Sequence, residues 1–197
     1  MRRKHNEITD SSEIQRILDS VNIGRLATIG TDGYPYITPV NFVSLNGNIY
    51  FHCAPKGEKL DNIARDAKVC FEVDAPLAYF DIGFDPKRPT CNVHQFYHCV
   101  IIRGTASAVR DDLLKTEALN ALMRKHEPDT AFKPVNKTMS AYKACKVVEI
   151  RPISTSAKSD LVQNQPEEVR QKIAEYLNQR NLPYDRETVE AMGFEFK

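Results

Sequence analysis

One stretch of about forty residues constrains this chain more than any other, from Gly24-Arg25-Leu26-Ala27-Thr28 through Ile49-Tyr50-Phe51-His52 to Gly57-Glu58-Lys59-Leu60-Asp61-Asn62-Ile63. Short β-rich runs alternate here with turn chemistry at a spacing that leaves no room for crossover helices. Arg25–Ile29 reads as a strand, and Gly30-Thr31-Asp32-Gly33 supplies a turn. Tyr36–Val43 follows, with Tyr36, Thr38, Val40 and Phe42 on one face and Ile37, Pro39, Asn41 and Val43 on the other. Pro39 has no N–H to give a ladder, which points to an edge or bulge. Asn46-Gly47 is a strong hairpin signal, and Asn48–Cys53 is the returning strand. The chain then enters a short helix through a glycine bracketed by Lys56 and Lys59.

The remaining segments fit the same plan. Asp10 and Glu13 have capping-box spacing ahead of Ile14, Ile17, Leu18 and Val21, so a helix is expected near 11–21. Lys68–Asp74, Phe96–Val109 (with a bend expected near Gly104) and Lys146–Ile153 read as strands. Residues 75–95 are rich in Pro, Asp and Gly and read as a long excursion. A helix follows Asp111-Asp112, another follows Pro166, and a short one is expected in the tail. About six strands joined mostly by turns predict a mainly β fold, an antiparallel barrel with peripheral helices. Neither regular β-α alternation nor a GxGxxG is present. The expected division is a barrel domain over 1–153 and a C-terminal helical extension over 154–197.

Composition excludes several classes. Net charge is +1, so no global field draws the chain to nucleic acid or an acidic membrane, and any anion site must be local. No apolar run approaches about 20 residues, so no spanning helix is expected, and the basic N-terminus lacks the apolar stretch of a secretory signal. The five cysteines form no CxxC, which fits free thiols in a reducing cytoplasm.

Three groups of residues could carry chemistry. In Lys56-Gly57-Glu58-Lys59, free N–H groups at a helix start plus two ammonium groups would cradle a phosphate. Spacing alone favours the plainer reading, a solvated turn. Asn62 lies one turn beyond Lys59, and His52 ends the strand before the corner, where it could bond a ligand or a backbone group. Cys91-x-x-His94-x-x-x-His98-Cys99 offers zinc-type ligands, but adjacent His98 and Cys99 face opposite sides of a strand, and a loop entering a core strand is favoured over a metal site. Asp81 and Asp85 sit among basic residues and read as a solvated loop.

Taken as a set, these motifs resemble the FMN-binding split-barrel proteins related to pyridoxamine 5′-phosphate oxidase, in particular the 5-nitroimidazole-resistance (Nim) subgroup. The resemblance rests on Gly24–Thr28, Asp32-Gly33-Tyr34-Pro35-Tyr36, Pro39-Val40-Asn41-Phe42, Ile49–His52, Gly57–Ile63, and Cys91 through Tyr97 to Cys99–Ala106. It implies a six-stranded antiparallel split barrel that works as a cytoplasmic homodimer, with two flavins at the subunit interface. FMN is the expected cofactor, and FAD is the other flavin such a site admits. Pro39, Val40, Asn41 and Phe42 would offer backbone groups to the isoalloxazine. His52, Lys56, Gly57, Lys59 and Asn62 would surround the ribityl phosphate, and Tyr97 would approach the flavin. The related oxidases carry Ser-Arg-Lys where Gly57-Glu58-Lys59 stands here, and their substrate-binding arginine and histidine have no counterpart in this chain. The implied function is a flavin-dependent oxidoreductase that reduces a small molecule such as a nitroimidazole, with His52 and Tyr97 as candidate catalytic residues. The alternative is a flavin- or haem-binding protein without turnover of its own, with His94 or His98 as a haem ligand.

Overall fold

The computed structural model describes residues 3–196. Among the described residues seven strands and six α-helices succeed one another as β1 (Glu7–Ile8), α1 (Ser11–Ser20), β2 (Ile23–Ile29), β3 (Pro35–Leu45), β4 (Asn48–Cys53), α2 (Glu58–Arg65), β5 (Lys68–Phe80), β6 (His94–Ala108), α3 (Asp112–His126), α4 (Ser140–Ala144), β7 (Lys146–Asp160), α5 (Glu167–Arg180) and α6 (Asp185–Ala191). The sheet runs β1-β7-β4-β3-β2-β5-β6, and a further β6–β7 pairing joins its ends into a ring of six strands with the two-residue β1 outside it. The registered pairings are all antiparallel. This is the mainly β antiparallel barrel the turn spacing predicts, in the six-stranded split-barrel form the resemblance implies. Where the ring closes, β7 passes close to β6: a Cβ on Gly104 would stand 2.3 Å from the Arg151 carbonyl oxygen, so only glycine fits.

The chain forms two compact units, one of Ser11–Val73 and Val100–Ser156, the other of Met1–Asp10, Asp74–Cys99 and Ala157–Lys197. In the larger unit, Leu26, Phe42, Phe51 and Phe71 are fully buried, and the Phe42 and Phe71 rings meet edge to face at 5.0 Å. Val40 and Phe42 of β3 point inward while Ile37, Pro39 and Asn41 point outward, following the period-two pattern. Beyond Asn41 the outer face is covered as well. There α3 packs Ala118, Leu119 and Leu122 against Val43, Tyr50 and Val147. Asp111 caps α3 by accepting from the Leu114 N–H at 2.8 Å. In the smaller unit, Phe80 and Phe96 pack with Ile173 and Leu177 of α5 and Val189 of α6.

Two expectations about extent need correction. The excursion does not begin at 75, because β5 runs on to Phe80 and leaves only two single-turn helices, Ile82–Phe84 and Thr90–Asn92, before β6. The strand changes its inward phase there: Val73 and Leu77 are buried, then Ala78 and Phe80. Likewise β7 runs past the expected 153 to Asp160, and residues 74–99 cluster with the C-terminal helices. Asp81 is also no solvated loop residue. It accepts from the Tyr176 hydroxyl at 2.6 Å and pairs with Arg180. No helix among the described residues is long and apolar enough to cross a membrane.

Candidate functional site

The lysine-bracketed corner lies in the larger unit, between β4 and α2. Gly57 precedes the helix at φ 142°, ψ 159°, a conformation essentially reserved for glycine. Its carbonyl accepts from the Leu60 and Asp61 N–H groups at 2.8 and 3.2 Å, but no side chain caps this helix end. Apart from Gly57 and its two chain neighbours, no heavy atom of the described residues lies within 4 Å of the position a Gly57 Cβ would occupy. The corner is therefore an open backbone surface carrying the positive end of a two-turn helix. Lys56 is exposed and Lys59 partly so. Glu58 and Asp61 also lie in the first turn, where they complement the helix dipole. Burial raises the Cys53 thiol while the Lys59 charge works against it, which puts Lys59 within electrostatic reach of the end of β4.

Asn62 is 1% exposed, and both ends of its amide are engaged. Its Nδ2 donates to the Thr28 hydroxyl at 3.1 Å, and its Oδ1 accepts from Arg65 at 3.2 Å. Asn62 thus fastens α2 to β2 and fixes the direction in which the helix start points. The Arg65 guanidinium also donates to the Ile29 carbonyl.

β3 leaves an open edge in the same unit. Its ladder with β2 covers Pro35–Asn41, but its ladder with β4 covers only Phe42–Leu45 among the described residues. On the β4 side, Pro39, Val40 and Asn41 therefore have no partner strand. Pro39 and Asn41 are exposed on the outer face, where the register sets Arg25 opposite Pro39 and Ile23 opposite Asn41. The sequence reading of Pro39 as an edge signal agrees with this geometry.

His126 and Lys125 went unremarked as site residues in the sequence because they lie more than eighty positions from β3 and read as the basic end of a helix. The fold brings them to it. His126 Nε2 stands 3.3 Å from the Phe42 carbonyl oxygen and its Nδ1 3.4 Å from the Asn41 amide nitrogen. Lys125 Nζ lies 3.6 Å above the Phe42 ring and donates to the Leu18 carbonyl at 2.8 Å. Burial lowers His126 below the usual histidine range, and the nearby Lys125 and His52 charges lower it further, partly offset by its bond to Phe42. Burial brings Lys125 down to about 8, against a smaller opposing pull from Asp19. His52 is itself exposed, at the edge of an apolar cavity of about 390 Å³ that Leu122, Met123 and Tyr142 also line.

Nine of the expected residues lie in the larger unit: Pro39, Val40, Asn41, Phe42, His52, Lys56, Gly57, Lys59 and Asn62. Tyr97 belongs to the smaller unit, where the Lys158 Nζ lies 5.0 Å over its ring. His94 faces Asp160 at 3.8 Å there. Among the described residues no group of three or more His, Cys, Asp or Glu could hold a metal ion, and all five cysteines are free.

Residues 10–159 match the family model of pyridoxamine 5′-phosphate oxidase, which covers most of the chain. The chain belongs to that family. Similar solved structures include an FAD- and haem-binding protein from Mycobacterium smegmatis, at a TM-score of 0.68 and 18% identity over 86% of this chain and 80% of that one. A candidate 5-nitroimidazole antibiotic resistance protein from Bacteroides thetaiotaomicron gives 0.63 and 21% over 78% and 86%. The flavocytochrome Anf3 of Azotobacter vinelandii gives 0.64 and 19% over 78% and 69%. At these identities the likeness establishes the fold. No curated protein matches the chain.

Proposed function

We propose that this chain is a flavin-dependent oxidoreductase that reduces a small molecule, with FMN or FAD held by the larger unit. The observation that carries the reading is the uncapped start of α2 at Gly57, flanked by two lysines and with nothing filling the space a Cβ would take. Such a corner fits a phosphate: backbone N–H groups supply directed donors, and Lys56 and Lys59 supply charge. Asn62 acts as a positioning residue that keeps the helix start aimed at the anion. The free β4-side edge of β3 fits the polar margin of a flavin ring, since its backbone groups at Pro39–Asn41 have no partner strand there. His126 occupies the Phe42 carbonyl, so that group is already engaged. Bound flavin supplies the electron chemistry, and the protein supplies position and electrostatics. His52, which lies in the same unit, is the candidate for moving a proton. The flavin- and haem-binding relatives named above support a flavin cofactor.

The reading includes a homodimer. Ile23, Ile29 and Ile37 are 50%, 42% and 60% exposed along the outer face of β2 and β3. Exposed β-branched residues on one sheet face suit burial against a second copy.

The test is direct. Purified protein should carry or take up flavin, giving absorption near about 450 nm. Lys59→Ala should weaken FMN binding by about 1.5–3 kcal/mol, the usual worth of a hydrogen bond to a charged group. Anaerobic addition of a reduced nicotinamide and a nitroimidazole should consume both. Protein that takes up flavin but turns over neither would be a binder, and unchanged affinity in the Lys59 variant would remove the corner from the site.

A further inference from the structure

The smaller unit holds a second cavity, of about 580 Å³, which takes no part in the corner. Its most unusual wall residue is Arg88. The guanidinium lies over the Phe80 ring at 4.3 Å, and its Nη2 donates to the Asn92 carbonyl at 3.1 Å. Its Nη1 is buried and has no hydrogen-bond partner among the described residues. Buried donors are almost always paired, and a guanidinium cannot shed its charge to escape the need. Asp160, the acid in the same wall, faces His94 Nε2 at 3.8 Å instead. Among the described residues nothing supplies the acceptor that the Arg88 Nη1 lacks, which leaves the group open to an external acceptor.

The surroundings narrow its chemistry. Arg88 and Arg3 against the single carboxylate of Asp160 give the Arg and Asp side chains of the lining one positive charge in excess, which matches a monoanion rather than a dianion. One free guanidinium nitrogen offers two N–H groups to a planar acceptor such as a carboxylate. Phe80, Val169 and Ile173 provide an apolar wall for the rest of the molecule, and the volume lies in the small-molecule range. We propose that this cavity binds a small aromatic or aliphatic monocarboxylate through Arg88, independently of the phosphate corner.

Sodium benzoate is a suitable probe, with benzamide as its neutral isostere and inorganic phosphate as the anion control, each titrated calorimetrically into the full-length protein. Benzoate should bind saturably with a dissociation constant on the order of 1 mM, and benzamide and phosphate at least tenfold more weakly. Arg88→Met keeps an apolar stem on Phe80 and should weaken benzoate at least tenfold, while Arg88→Lys, which keeps the charge but loses the fork, should fall between. FMN affinity should not change in either variant, so a failed flavin assignment and a failed carboxylate site are told apart. Equal binding of benzoate and benzamide by the unaltered protein would overturn the proposal without any variant. So would absence of saturable benzoate binding, undiminished binding in Arg88→Met, or displacement of benzoate by FMN, which would make the cavity part of the flavin site.

Discussion

Gly57 does at one residue what no other amino acid could do there. At φ 142° an alanine would be strained although its Cβ would touch nothing, so the cost of Gly57→Ala is a backbone cost of about 1–3 kcal/mol. The variant should melt earlier and bind FMN more weakly, because relaxing the backbone turns the helix N–H groups away; a calorimetric melt and an FMN titration read both. His126 gives a second test. Its folded pKa is depressed, so below about pH 6.5 the unfolded chain takes up the proton more readily than the folded one. Stability should fall as pH drops through 6.5 and level off beneath the folded value. His126→Gln should flatten that slope in urea unfolding followed between about pH 7 and pH 5. The glycine was readable from its place between two lysines. The histidine was not, because nothing local in α3 says which carbonyl its ring will meet.

At the scale of elements, one arginine ties the C-terminal helices to each other and to the end of β5. Arg180 on α5 pairs with Asp185, which is 1% exposed, and with Asp81 just beyond β5, and it donates to the Tyr79 carbonyl at 3.0 Å. Arg180→Ala would leave the Asp185 charge buried and unpaired, at a cost of about 3–5 kcal/mol. A urea midpoint measured against the unaltered chain checks it. Burial of Asp81 would raise its pKa, but the bonds from Tyr176 and Arg180 outweigh burial and lower it. Its contribution is therefore present above the unfolded carboxylate value of about 3.9 and is lost as pH falls through the folded value. The smaller unit should loosen first on acidification below that range, with the Tyr176→Phe variant less sensitive. Sequence periodicity located α5 and the start of β5. It missed the strand's second half because Pro76 and a change of inward phase hide the alternation.

For the whole molecule, the proposed association is the decisive quantity. A chain of 22.4 kDa should run as a species of about 45 kDa in light scattering if the exposed isoleucines of β2 and β3 meet a second copy. Ile37→Lys, set in the middle of that face, should shift the mass toward the monomer. If flavin spans the interface, the same change should lower FMN affinity in parallel. A monomer that holds flavin undiminished would separate the cofactor site from any partner.

The sequence by itself determined what local chemistry can determine: the hairpin at Asn46-Gly47, the helix start at Gly57, the alternating faces of β3, and the order of strands too closely spaced for crossovers. Turn residues and period-two patterns act over a few positions, so they survive being read in one dimension. Tertiary structure alone decided that β6 and β7 close the ring, that β3 keeps an open edge on its β4 side, and that His126 and Lys125 lie against β3. It also decided that Asn62 is an internal fastener and that the Arg88 Nη1 is left without a partner among the described residues. Those outcomes depend on which distant surfaces bury each other, and a buried polar group's partner is fixed by where the packing leaves it.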